Sequence, residues 1–428
     1  MKIFYSVILV LLTAFTASAQ TPPANYLVVL NKFKQFYNGN KPDSVYNMFS
    51  PELKASITAD KWNTTTSQLK AQLGTLNQAE PVEYIAPTAI YKAVFANATF
   101  LLNISLNNQN KLIGIFFKPY KDPFVTIPVD PSLTESPVAL KTLSGTVSGT
   151  LSLPKDATGK LPVVLIIAGS GPTDRDGNNN QGSLSGNTYK MLANELGKNG
   201  IASLRYDKRG IGQSVSSTKP KEMRFDDYVD DAVGLINMLN DDSRFSKIVV
   251  LGHSEGSLVG MLACRDQPAK AFISIAGAGQ PADKIMTEQM KAQPQYIADN
   301  FKLMLDSLKK GKFTDKIDPK IYAIAGPDMQ PYLASWFRYD PARELKKIKL
   351  PMLILQGTTD IQVTVADAEK LKKAAPSDAK LVIIPGMNHV LKEAPADKAL
   401  NTATYTKPNL PLKPELVSSI VDFVKGLK

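Results

Sequence analysis

The chain has 428 residues, 43% hydrophobic and 21% charged, with no low-complexity tract, which suits two folded domains better than one and excludes a disordered protein. Its single cysteine, Cys264, rules out an intramolecular disulfide and any zinc site built on a cysteine cluster. The net charge of +11 is spread over lysines, with local runs such as Lys346-Lys347-Ile348-Lys349 but no basic helix interleaved with aromatics, so nucleic acid is not an expected partner.

Residues 1–19 read as a cleavable signal peptide. Lys2 supplies the charge, Ile3–Leu12 the apolar run and Ala17-Ser18-Ala19 the small-residue cleavage pattern before Gln20. No cysteine follows the cut to carry a lipid anchor, and no later stretch is apolar enough to span a bilayer. The expected location is the periplasm or the medium. Residues 20–118 read as an α+β domain. Leu27, Leu30, Phe33, Phe36 and Tyr37 recur at helical spacing, Ser44–Phe49 and Trp62–Leu73 continue in helix, and four β-rich runs follow between Val82 and Lys118. Residues 119–140, with prolines at 119, 123, 128, 131 and 137, read as a stiff linker.

From 141 to 428, after a hairpin-like pair around Thr142–Leu153, apolar strands alternate with helices. The expected strands are Leu161–Ala168, Ile201–Tyr206, Lys247–Leu251, Ala271–Ala276, Pro351–Gln356 and Lys380–Ile384. That pattern predicts an α/β fold, a doubly wound, mostly parallel sheet covered on both faces. A helical insertion over residues 277–349 interrupts it and is expected to cap the carboxyl ends of the strands.

The chemistry gathers at those strand ends. Gly252-His253-Ser254-Glu255-Gly256 lies between the strand Ile248–Leu251 and a helix opening at Ser257, the context of a strained nucleophile elbow. A serine nucleophile needs a base, and the chain holds two histidines. His253 sits beside the serine and points elsewhere, which leaves His389, in Pro385-Gly386-Met387-Asn388-His389. Asp360, in Gly357-Thr358-Thr359-Asp360 after the preceding strand, completes the order Ser, Asp, His. Alone, Asp360 would pass for a turn residue and His389 for a loop histidine; together at successive strand ends they read as a triad.

With these motifs, residues 168–177 (Ala-Gly-Ser-Gly-Pro-Thr-Asp-Arg-Asp-Gly) and 205–212 (Arg-Tyr-Asp-Lys-Arg-Gly-Ile-Gly), the second domain resembles an α/β-hydrolase of the serine carboxylesterase and serine aminopeptidase-like branch. The leading domain is similar to nuclear-transport-factor-like modules in its helix–sheet order. The resemblance implies hydrolysis of a small carboxylic ester through an acyl-enzyme, with no cofactor and no metal. It also implies an oxyanion hole from the backbone N–H groups of Ser170 and Glu255, although Ala168 stands where many relatives have histidine. An aminopeptidase, a thioesterase and a non-catalytic binding protein are the alternatives. Asp174, Arg175 and Asp176 suit either an ion-pair knot or a polar substrate contact, as do Asp207 and Arg209, and Glu255 could bind an amine. The insertion's Met286, Met290, Met304, Tyr322, Met329, Tyr332, Trp336 and Phe337 suit its own core or a pocket wall. Oligomeric state is not legible.

Overall fold

The computed structural model describes residues 21–120, 125–179, 184–291 and 293–428; the expected signal peptide lies outside them. The chain divides into two compact units, Met1–Pro123 and Phe124–Lys428. In the first, helices Ala24–Asn38, Pro42–Tyr46, Pro51–Ser56 and Ala59–Leu73 precede strands β1 (Leu76–Ile85), β2 (Thr88–Phe95), β3 (Thr99–Leu106) and β4 (Leu112–Pro119). The strands form an antiparallel sheet in chain order. Along β2 every second residue is buried, Ala89, Tyr91, Ala93 and Phe95, the period expected of a sheet with one covered face. They share a core with Val29, Leu30, Phe33 and Tyr37 of the first helix and with Trp62, whose ring meets Phe49 edge-on at 4.8 Å.

The second unit contains β5 (Leu133–Thr142), β6 (Gly145–Pro154), β7 (Leu161–Ile167), β8 (Ala202–Tyr206), β9 (Val215–Ser216), β10 (Phe245–His253), β11 (Ala271–Ile275), β12 (Met352–Gly357) and β13 (Lys380–Ile384). They make one sheet in the order β13-β12-β11-β10-β7-β8-β6-β5, with β9 beside β6. The run from β13 to β8 is parallel, whereas β5, β6 and β9 pair antiparallel. Helices such as Phe225–Asn240 cover one face, and Thr188–Lys198 and Pro414–Lys425 the other, so the central strands are buried on both sides. Between β11 and β12 lie the helices Ala282–Met290, Gln295–Lys309, Tyr322–Ala325, Gln330–Trp336 and Pro341–Leu345, where the insertion was expected. Met290, Met304 and Tyr332 of the insertion are buried in its packing, whereas Tyr322 is exposed.

The linker expected over residues 119–140 is corrected by β5, whose ten residues pair with β6 through a tight hairpin at residues 143–144. The prolines misled because β5 is an edge strand, where Pro137 lacks an N–H without breaking a shared ladder. The strand is also anchored by charge: Glu135 binds Arg205 at 2.8 Å and Lys190 at 2.7 Å, both cations being buried.

Leu235, fully buried in the helix Phe225–Asn240, tests this packing. Leu235→Ala is expected to lower the unfolding free energy by about 3 kcal/mol in urea titrations; a change below about 1 kcal/mol would show that the face is not close-packed.

Candidate active site

Ser254 follows β10 and caps the helix Glu255–Ala263 with φ +56° and ψ −122°, a region that residues with a Cβ rarely occupy. Backbone proximity imposes it. A Cβ on Gly252 would lie 2.1 Å from the Gly256 carbonyl oxygen, and one on Gly256 would lie 2.3 Å from that of Ile167. Only glycine lets helix and strands approach so closely. The Ser254 N–H donates to the Ile275 carbonyl (2.9 Å), which pins the turn to the end of β11.

Gly169, after β7, passes over this serine: a Cβ there would stand 3.1 Å from the Ser254 Cβ. The loop therefore brings the Gly169–Ser170 segment close to the serine. The Glu255 N–H is the first of its helix, has no intrahelical acceptor, and adds the positive end of the helix dipole.

Asp360 follows β12 and His389 follows β13, the adjacent strand. His389 Nδ1 lies 2.8 Å from Asp360 Oδ2, and the Asp360 side chain is fully buried. Its other partners are the amide of Gln356 (3.2 Å) and the N–H groups of Gln362 (2.8 Å) and Val363 (3.0 Å). Burial alone would raise the Asp360 pKa; the His389 ring and these donors outweigh it and hold the carboxyl below its ordinary range. An ionised Asp360 fixes the proton of His389 on Nδ1 and leaves Nε2 as the ring's basic atom.

His253 has a separate place. Its Nε2–H donates to the His389 carbonyl (2.8 Å), so its Nδ1 accepts, at 2.8 Å, from the Tyr189 hydroxyl. That hydroxyl in turn accepts from the Gly169 N–H (3.1 Å). One buried relay thus joins the loop over the serine to the backbone of His389. Desolvation first, then the neighbouring His389, push the His253 pKa down to about 3, so the ring is neutral at ordinary pH.

Of the residues with open alternatives, Arg175, Asp176, Asp207 and Arg209 form ion pairs and Asp174 binds backbone. Arg175 binds Asp207 (2.6 Å), Asp176 faces Arg205 (3.2 Å), and Arg209 grips Asp231 through two bonds of 2.7 and 2.8 Å. Asp174 Oδ1 accepts the N–H groups of Asp176 and Asn178, both at 2.9 Å. The Glu255 side chain does not reach out for an amine. It is buried between Lys208 Nζ (2.9 Å) and the Tyr332 hydroxyl (2.7 Å). Tyr189, Lys208 and Gln356 went unremarked in the sequence as site residues, and Tyr332 was expected in the insertion's core or a pocket wall, not as a partner of Glu255; only Lys208 lay inside a recognised motif. Among the described residues no cluster of histidine, cysteine, aspartate and glutamate could hold a metal ion, and no helix is long and apolar enough to cross a membrane.

Because His253 is buried neutral, it favours the folded state fully above its ordinary pKa of about 6.5, and that contribution is lost as pH falls toward 3. Between pH 7 and pH 4 the unfolding free energy of the wild type is expected to fall by about 3 kcal/mol more than that of His253→Gln. Parallel pH profiles from denaturant titration would refute a neutral, buried His253.

Two families match the chain: "Serine aminopeptidase, S33" over residues 183–321, and DUF3887, described as a protein of unknown function, over residues 31–115. Esterase EstD of Thermotoga maritima is 27% identical over 369 residues, covering 84% of this chain and 86% of its own. Among solved structures, Est1E from Butyrivibrio proteoclasticus aligns with 68% of this chain and 99% of its own at 18% identity, with a TM-score of 0.44. An esterase of Pyrococcus furiosus aligns with 72% of this chain and 97% of its own, at 18% identity and a TM-score of 0.45. Nucleophile-elbow geometry at the carboxyl edge of a mostly parallel sheet agrees with the family and EstD matches, and by these the chain is similar to the α/β-hydrolases of the serine carboxylesterase and serine aminopeptidase-like branch.

Proposed function

We propose that the protein hydrolyses small carboxylic esters through an acyl-enzyme, with Ser254 as nucleophile, His389 as general base and Asp360 as its partner. The observation that carries this reading is the buried 2.8 Å contact of His389 with Asp360, in a loop whose His389 carbonyl binds the ring of His253, the residue before a strained serine. His389 Nε2 takes the Ser254 hydroxyl proton as Oγ attacks the ester carbonyl, and Asp360 stabilises the imidazolium that forms. The Ser170 and Glu255 N–H groups receive the developing oxyanion, each such donor contributing about 3 kcal/mol at the transition state. His389 then returns the proton to the departing alcohol. Water, activated by the same ring, attacks the acyl-serine and releases the acid.

The aminopeptidase alternative needs an acidic group to hold the substrate's ammonium. The carboxylate adjoining the nucleophile, Glu255, is already bound by Lys208 and Tyr332, which favours the ester. The resemblance of residues 1–19 to a cleavable leader supports export, and mass analysis of the mature N-terminus checks it: a chain beginning at Gln20 is expected, and retention of Lys2 would refute cleavage.

Fluorophosphonate labelling with short-chain aryl-ester hydrolysis tests the site. Wild-type protein is expected to carry the adduct on Ser254 and to prefer aryl esters to aminoacyl arylamides. Ser254→Ala is expected to lose the adduct, and His389→Ala to lose about three or more orders of magnitude in turnover. His253→Ala, by contrast, is expected to keep detectable labelling. Equal losses in folded His253→Ala and His389→Ala would overturn the choice of base.

A further inference from the structure

We propose that Lys208 is a positioning residue for the oxyanion hole: its buried ammonium holds the Gly169 carbonyl and thereby aims the Ser170 N–H. This deepens the ester-hydrolase reading and rests on it. Lys208 follows β8, next to β7 in the sheet, and its Nζ lies 3.0 Å from the Gly169 carbonyl oxygen and 2.9 Å from Glu255 Oε1. It also sits 4.2 Å from the centroid of the Tyr228 ring. The ammonium is therefore satisfied on several sides, and its side chain is only 5% exposed.

The consequence for Ser170 follows from peptide geometry. The Gly169 carbonyl and the Ser170 N–H belong to one planar, trans unit, so they point in opposite directions. Fixing the oxygen on Lys208 fixes the N–H on the other side of the unit. A charged donor on the carbonyl also polarises the peptide and strengthens its N–H as a hydrogen-bond donor. The two hole donors differ in their need for such support. The Glu255 N–H is set by the helix that begins there, whereas Ser170 is exposed and lies in a loop just before Gly171, at φ +83°. The neighbouring peptide is held as well, by the Tyr189 hydroxyl on the Gly169 N–H, so the loop is gripped on both sides of one glycine.

Glu255 completes the device. Its carboxylate neutralises the buried ammonium and reaches the Tyr332 hydroxyl in the insertion. Removing Lys208 alone would leave Glu255 buried without a counter-charge and could unfold the chain. The test therefore uses Lys208→Met and the charge-balanced double variant Lys208→Met/Glu255→Gln, in the full chain. Active sites are titrated with a fluorophosphonate. The readouts are kcat and KM on p-nitrophenyl butyrate and the Ki of an aryl trifluoromethyl ketone, whose tetrahedral adduct places an oxyanion in the hole.

Both variants are expected to lose about 10- to 100-fold in kcat per titrated site, to weaken the ketone by a similar factor, and to hold KM within about threefold. A purely structural lysine would lower the fraction of active sites and the melting temperature, with kcat per site unchanged. Overturning the proposal takes kcat per site and ketone Ki within about twofold of wild type in the folded double variant. The underlying reading fails separately: aryl-ester hydrolysis and labelling that persist in Ser254→Ala would remove the nucleophile, whatever Lys208 does.

Discussion

The site depends on how closely the backbone of one helix start can approach two strands. Gly252 and Gly256 leave no room for a Cβ where the helix Glu255–Ala263 meets the ends of β7 and β10, and Gly169 brings the next loop against Ser254 from the other side. With the chain held there, Ser254 adopts its positive φ, a strain of about 1–3 kcal/mol that the surrounding ladder must hold. The sheet does so through buried neighbours on both flanks and through the Ser254 N–H bond to Ile275. Close approach thus sets the direction of the serine, the position of the Glu255 N–H and the height of the Gly169 loop together. No one of them can be altered without moving the others.

Such an arrangement leaves polar backbone groups in a region with little water, where an unpaired group costs about 1–3 kcal/mol. Gly169 shows how the fold meets that demand. Its N–H goes to Tyr189 and on through His253 to the His389 carbonyl, and its C=O goes to Lys208. Each link is buried and each has its hydrogen-bond partner, the condition under which a polar network rigidifies rather than weakens a core. The same groups that satisfy the loop also tie it to the backbone of His389 and, through Glu255 and Tyr332, to the insertion. The insertion is further fastened by Trp336, stacked on Phe225 with centroids 5.7 Å apart. Satisfying the backbone and placing the groups of the proposed mechanism are one task in this region.

What could be read in the sequence was whatever has a local signature. The alternation of apolar strands and helices, the Gly-x-Ser-x-Gly turn, and an aspartate and a histidine after successive late strands are patterns within a few residues, and the sheet order brings their strand ends to one edge. The strand Leu133–Thr142 was obscured because prolines in an edge strand resemble those of a linker. The partners of Glu255 were hidden for a different reason: Lys208 is 47 positions away and Tyr332 is 77, and no periodicity relates them. Tyr189 likewise reaches Gly169 and His253 across the sheet, from a helix whose sequence reads only as amphipathic. Long-range polar pairing follows from topology, and a single sequence carries no local record of it.

The two histidines show how neighbouring groups give identical side chains different surroundings. Their rings lie 4.9 Å apart, too close for both to carry charge without strong repulsion. His253 meets a phenol at Nδ1 and a carbonyl at Nε2; burial first, then the neighbouring His389, push its pKa down to about 3 and outweigh the carbonyl's hydrogen bond, which favours the charged ring. His389 meets the carboxylate of Asp360, whose own proton is lost early because His389 and two backbone donors stabilise the anion. Burial and the nearby His389 ring hold His253 neutral, while His389 has the Asp360 carboxylate beside it. On the proposed mechanism this asymmetry has a use. The ring that must gain and lose a proton has a counter-charge, while the ring that links it to the loop over Ser254 stays neutral and keeps its two hydrogen bonds through the cycle.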